Sequence, residues 1–176
     1  MTVPEFSRPV RVDTLGPEPR MLKIEAEAAE RQALARRFDL VGIDRLTAQA
    51  ALVRKAADIV ASGRVTARVT QTCVASGEPV DADIDAALEI VFRPQPGDLK
   101  GEEEIELSGS ELDVVFYDGA AIDLGEAAAE TLFLSLDPYP RSAEAAAALE
   151  AAGVKSEEEA GPFGALAALR DRMKKE

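Results

Sequence analysis

Residues 113–141, D-V-V-F-Y-D-G-A-A-I-D-L-G-E-A-A-A-E-T-L-F-L-S-L-D-P-Y-P-R, constrain their own backbone more consistently than the rest of the chain. Val114, Val115, Phe116 and Tyr117 are β-branched or aromatic, types that fit a pleated strand. Asp118-Gly119 is a turn pair, because glycine accepts positive φ without steric cost. Asp123 stands where a helix N-cap belongs, and Glu126 three residues on makes an acidic version of the capping box. Asp137-Pro138 stops the helix, since a residue before proline disfavours the α region. The stretch therefore reads strand, tight turn, a helix from Asp123 to Leu136, and a stop.

That helix has two faces. At about 100° per residue, Asp123, Glu126, Glu130 and Asp137 fall in a sector roughly 60° wide. Leu124, Ala128, Leu132 and Leu136 lie opposite. One reading is an amphipathic helix with its charges in water. The other is an acidic stripe that meets a basic partner, because Phe133 and Leu134 border it and apolar residues beside charge mark interfaces. The candidate partner site is then Asp118, Gly119, Asp123, Glu126, Glu130 and Asp137, with Tyr139 and Arg141 just past the stop. On this reading, turning Glu126 and Glu130 to Lys leaves the protein folded, apart from up to about 1 kcal/mol of lost N-terminal dipole and capping interaction at Glu126, and weakens binding much more.

Charge is distributed unevenly over the 176 residues, whose net charge is −13. Residues 1–72 hold 12 Lys/Arg and 9 Asp/Glu, net +3. Residues 73–160 hold 4 and 22, net −18. Residues 161–176 hold 4 and 2, net +2. An acidic middle repels nucleic acid, whose affinity comes mostly from neutralised phosphate, and attracts a basic protein at long range. A single cysteine precludes an internal disulfide and fits a reduced, cytoplasmic setting. The N-terminus has no apolar run behind a basic start, and no stretch approaches the ~18 apolar residues of a membrane span.

The remaining segments predict an α+β domain over residues 1–141, with a mostly antiparallel sheet or partial barrel and packed helices. Residues 6–13 read as a first strand, placed at an edge or a strand start by Pro9. Arg20 to Glu25 is a short strand, and Ala26 to Phe38 a helix rich in Ala, Glu and Arg. Residues 45–61 read as strand, since Leu46, Ala48, Ala50 and Leu52 alternate, although their alanine content also suits a helix. Arg64 to Val74 alternates cleanly, with Val65, Ala67, Val69, Gln71 and Cys73 inward. Ser76-Gly77-Glu78-Pro79 is a turn, and Ile84 to Phe92 alternate again. After a loop at 94–101 comes an acidic run, Glu102 to Glu106. Residues 142–161, poor in large apolar types, read as a mobile linker that is helical in part. Residues 162–176 read as a last helix carrying Phe163, Leu166, Leu169 and Met173, with Arg170, Arg172, Lys174 and Lys175 near its end.

Much chemistry is missing. Without histidine there is no His-based triad or acid–base pair. Cys73 has Ser76 where a C-x-x-C mate would stand, so no thiolate zinc site is expected, and it reads as a small buried residue. Asp81, Asp83 and Asp85 mimic the start of a calcium loop. Ala86 and Phe92 then occupy its glycine and bidentate-glutamate positions, so the aspartates read as the wet face of a strand. Neither phosphate-loop motif occurs. No metal, no cofactor and no membrane is expected, and the chain reads as a non-enzymatic binder.

Four motifs go further: Q-T-C-V-A-S-G-E-P-V at 71–80, D-G-A-A-I-D-L-G-E at 118–126, E-T-L-F-L-S-L-D-P-Y-P-R at 130–141 and G-P-F-G-A-L at 161–166. In this order they resemble the YceD-like family, bacterial and plastid proteins linked to accumulation of large-subunit ribosomal RNA. The resemblance implies a role in ribosome assembly. It carries over no catalytic residue, and no metal role, because Ser76 replaces the second cysteine found in many members. Three readings follow: a factor that binds a basic ribosomal protein or assembly intermediate, an RNA binder using Arg31, Arg36, Arg37, Arg54, Lys55, Arg64 and Arg68, or a hydrolase built on carboxylates. The acidic middle favours the first.

Overall fold

The computed structural model describes residues 4–95 and 113–154. The expected acidic run at 102–106, the end of the linker and the C-terminal helix lie outside them. The described chain divides into two compact units, one of residues 4–71 and 81–138, the other of residues 72–80 and 139 onward.

The first unit is α+β. Strands β2 (Arg20–Glu25), β3 (Gly42–Lys55), β4 (Asp58–Thr72), β5 (Pro79–Pro94) and β6 (Asp113–Tyr117) form an open sheet in that order. β2 and β3, and β3 and β4, pair antiparallel, while β5 and β6 pair parallel. Side-chain ties Thr70–Asp81, Arg68–Asp83 and Arg64–Asp85 run in opposite order along β4 and β5, as antiparallel neighbours require. β1 (Pro9–Arg11) and β7 (Ala121–Asp123) make a separate two-stranded ribbon. Helices α1 (Ala28–Arg37) and α2 (Leu124–Leu134) complete the unit.

Alternation fixes which face of the sheet is dry. Leu46, Ala48, Ala50 and Leu52 of β3, Ile59, Ala61, Val65, Ala67 and Val69 of β4, and Leu88, Ile90 and Phe92 of β5 are buried together. α1 adds Leu34 and Ala35, and α2 adds Leu124, Ala128 and Leu132. A bulge between Ile43 and Arg45 changes the parity of β3, so that Ile43 and Leu46 both point inward. Gly63 has no room for a side chain, because a Cβ there would lie 2.0 Å from the Gln49 carbonyl oxygen. Asp81, Asp83 and Asp85 are exposed, on the wet face expected of them.

Residues 45–61 are strand, as expected, but two strands and not one. The reversal falls at Ala56, whose φ of 55° is one that alanine adopts at a cost. No glycine, asparagine or proline marks it. The first strand is shorter than the expected 6–13 and gives way to a 3-10 turn at Val12–Thr14.

α2 begins at the expected N-cap, but without the expected capping box, and it ends early. Asp123 is its N-cap, accepting from the Gly125 and Glu126 amides at 2.9 and 3.2 Å. Glu126 does not close the box; it turns to Arg37 instead. The helix ends at Leu134, two residues before the expected Leu136. Thr131 Oγ1 donates to the Ala127 carbonyl and Ser135 Oγ to the Thr131 carbonyl, and such back-bonding competes with the helical ladder. Asp137-Pro138 lies beyond this break. The Asp137 carbonyl accepts from Gln71 Nε2 at 2.8 Å, which satisfies a buried amide of β4.

The second unit centres on a turn from Cys73 to Glu78. The Cys73 amide donates to the Glu78 carbonyl at 2.7 Å, and Gly77 supplies the positive φ, 76°, that the reversal needs. Val74 N donates to the Pro140 carbonyl at 2.9 Å. In the stretch expected to be a linker, residues 145–151 form α3 (Ala145–Ala151), whose Ala145 is buried.

Asp123 also holds the N-terminal segment. Ser7 Oγ donates to Oδ2 at 2.5 Å and the Arg8 amide to Oδ1 at 2.7 Å. Asp123→Ala removes the cap and both ties, and should lower stability by about 2–3 kcal/mol. Asp123→Asn keeps an acceptor at the cap and should lose less. Urea unfolding of the two variants checks the order.

Candidate partner-binding site

The expected acidic stripe separates into residues with different duties. Asp123 is half-buried and engaged by four donors, so it is a structural carboxylate. Glu126 faces Arg37, whose Nη2 and Nη1 reach its oxygens at 2.7 and 3.0 Å. Arg37 Nη1 also donates to Glu5 at 3.0 Å. Clasped by two carboxylates, Glu126 first, the Arg37 guanidinium has its pKa raised. Charge reversal at Glu126 therefore breaks this ion pair too, a cost additional to the dipole and capping loss expected there from the sequence.

Glu130 is different. One turn beyond Glu126 on an exposed part of α2, it makes no hydrogen bond or ion pair to any described residue. Its carboxyl pKa is raised, first by partial burial and then by the neighbouring Glu126, with Arg37 acting in the opposite sense. A raised carboxyl pKa means that ionisation opposes folding, so the stability due to this group grows as pH falls through the raised value.

Apolar surface lies beside it. Phe133, 51 % exposed, packs on Phe38 with ring centroids 5.0 Å apart, and Leu134 is 74 % exposed. Arg37 lies over Phe38, 5.4 Å from its centroid. On the other flank of α2 a groove of about 240 Å³ runs against β6 and is lined by Val115, Phe116, Tyr117, Glu126, Ala127 and Glu130, among others. Nothing in the sequence marked Val115 to Tyr117 as anything but strand.

Asp118 and Gly119 form the exposed turn after β6, with φ of 89° at Gly119, and do not line the groove. Asp137 is exposed past the end of α2. Tyr139 and Arg141 are exposed and belong to the second unit. Of the eight candidates, α2 gathers Glu126 and Glu130 at the groove, where the structural Asp123 also lies.

The candidate RNA-binding arginines are largely engaged. Arg64 pairs with Asp85 at 2.8 Å. Arg68 lies within 3.2–3.8 Å of Asp44, Asp81 and Asp83. Arg31 and Arg54 donate to the carbonyls of Ala26 and Ala56. Arg36 and Lys55 enter no ion pair among the described residues. Two larger clefts, about 410 and 570 Å³, are lined partly by arginine. In the first, Arg8 is taken by Glu30 and Arg11 by Asp13. In the second, Arg31 Nε is buried without a partner among the described residues.

In the second unit, Cys73 is buried as expected, yet its sulfur is not an inert packing atom. The amides of Ser142 and Ser76 each approach Sγ at 3.3 Å. Ser76 Oγ and Ser142 Oγ lie 3.0 Å apart, and Ser142 Oγ donates to Glu78 Oε2 at 3.2 Å. Donation by Ser142 first, then Ser76, outweighs burial and brings the Cys73 thiol pKa down to about 6. No group of three or more cysteine or acidic side chains able to hold a metal occurs among the described residues.

A depressed thiol pKa has a definite sign. Stability from Cys73 is fully present above the unfolded value of about 8.5 and is lost as pH falls through about 6. Thiolate absorbance of the native protein should therefore titrate near pH 6. The rise in unfolding free energy between the two values should flatten in Cys73→Ala.

Comparison with known proteins bears on the whole chain. No curated protein and no solved structure matches it. No helix among the described residues is long and apolar enough to cross a membrane. A family model described as large ribosomal RNA subunit accumulation protein YceD matches residues 61–170, more than half of the sequence, including β5, β6 and α2. The chain belongs to the YceD family, whose role is in accumulation of the large ribosomal RNA.

Proposed function

We propose that the protein supports large-subunit ribosomal RNA accumulation without catalysis, in the cytoplasm, by binding a basic ribosomal protein or a large-subunit assembly intermediate through the acidic rim of α2. The observation that carries this reading is Glu130, an exposed carboxylate with a raised pKa and no partner among the described residues. Exposed Phe133 and Leu134 lie a turn away and offer apolar area to the same partner. Charge over residues 73–160 is net −18, which speeds encounter with a basic surface and slows encounter with phosphate. Pairing of Arg37, Arg64 and Arg68 with carboxylates supports a protein partner over naked RNA.

Because Glu126 holds Arg37, the test belongs to Glu130 alone. Glu130→Gln and Glu130→Lys should leave stability within about 0.5 kcal/mol of wild type, as surface substitutions do. In a cell lacking the wild-type gene, Glu130→Lys should remain soluble yet fail to restore large-subunit ribosomal RNA. It should also retain less protein in a pull-down. Rescue equal to wild type, or a retained fraction that is RNA and falls steeply with salt, would overturn the reading.

A further inference from the structure

β2 ends the five-stranded sheet, and the ribbon of β1 and β7 is a separate sheet. The register fixes which main-chain groups of β2 point outward. The Ala26 amide donates to the Leu46 carbonyl at 3.0 Å, one step beyond the pair Glu25–Thr47. Such hydrogen-bonded pairs recur at every second residue of an antiparallel ladder, so Arg20, Leu22 and Ile24 bond to β3. Met21, Lys23 and Glu25 therefore direct N–H and C=O away from it. In keeping with this, the Glu25 carbonyl accepts from Arg8 Nη2 at 3.0 Å. Toward the other end of β2, Arg20 Nη1 donates to Thr14 Oγ1 at 2.8 Å. The cleft of about 410 Å³ lies along these residues, with Val10 of β1 and Leu22 and Ile24 of β2 in its lining. All three pack against the core.

We propose that β2 takes up one further strand, an extended acidic segment of a second partner, laid antiparallel to it in this cleft. The inference goes beyond the acidic rim of α2 and does not depend on it. An outward row of main-chain donors and acceptors is a template for strand addition. β2 supplies that row at Met21 and Lys23. β1 does not, because Pro9 has no amide to donate and the Arg11 carbonyl accepts from Thr14 Oγ1. With β1 lining the same cleft, the space beside β2 suits a single strand and not the edge of a second folded copy. Pleat and charge then set the segment's pattern. Residues opposite Leu22 and Ile24 share their face with the core and are apolar. Residues opposite Met21 and Lys23 lie on the wet face, where an acidic side chain pairs with Lys23. Arg20, which enters no ion pair among the described residues, adds positive charge at the same cleft.

The test uses the full-length protein and the end-blocked peptide V-E-V-E-V, followed by amide hydrogen exchange in NMR. The Met21 and Lys23 amides should exchange fast in the free protein and slow saturably with peptide. The Leu22 and Ile24 amides, already bonded to β3, should change little. N-methylation of the two glutamate amides, which face β2, should cost about tenfold or more in affinity, and N-methylation of the central valine, which faces away, should cost little. V-K-V-K-V should bind about fivefold more weakly. Lys23→Pro removes one outward amide and no bond to β3, and should abolish binding; should that variant unfold, the methylated peptides make the same test from the other side. Glu130→Lys should bind the peptide like wild type, which separates this edge from the rim of α2. Equal binding of the two methylated peptides, slowed exchange confined to α2, or Met21 and Lys23 amides already protected in the free protein would overturn the proposal.

Discussion

The carboxylate of Asp123 is the junction on which the first unit depends. Its Oδ1 accepts from two orphan amides at the start of α2 and from the Arg8 amide, while its Oδ2 accepts from Ser7 Oγ. The Leu124 amide returns a bond to the Arg8 carbonyl. Gly125 lets the N-terminal segment pass, since a Cβ there would lie 2.3 Å from the Phe6 carbonyl oxygen. Phe6, fully buried, is driven into the core by the same approach. The orientation of α2, and with it the position of Glu126 and Glu130, follows from one charged group and one missing side chain.

Local signals carried the sequence reading where they were redundant. β-Branched alternation, a turn pair and an N-cap agree over residues 113–126, and strand, turn and cap all appear. The same redundancy placed β4 and β5 and the wet face of Asp81, Asp83 and Asp85. It was absent at Ala56, where a left-handed reversal is set by pairing of β3 with β4 and not by a turn residue. The ribbon of β1 and β7 was half legible, because Ala121–Asp123 is too short to alternate and gains strand geometry only from its partner.

The candidate site was legible in composition and not in bonding. An acidic stripe is visible from helical spacing, but spacing cannot say that Asp123 binds backward to residue 8 or that Glu126 binds across to Arg37. Those contacts span more than 85 residues and depend on packing. They leave Glu130 as the uncompensated member. Its carboxyl pKa is raised, first by partial burial and then by Glu126. Conversely, the basic N-terminal half looked available in the sequence and is largely self-neutralised across the sheet, through Arg64 with Asp85 and Arg68 with three aspartates.

Hydrogen exchange of the chain, free and bound to large-subunit assembly particles purified from cells, tests most directly whether α2 and its groove are the contact surface. Slowed exchange should concentrate in residues 113–134, over β6 and α2, with β2 and α1 unchanged. Protection over residues 20–37 with no change in α2 would contradict it and shift recognition to the arginine-bearing face.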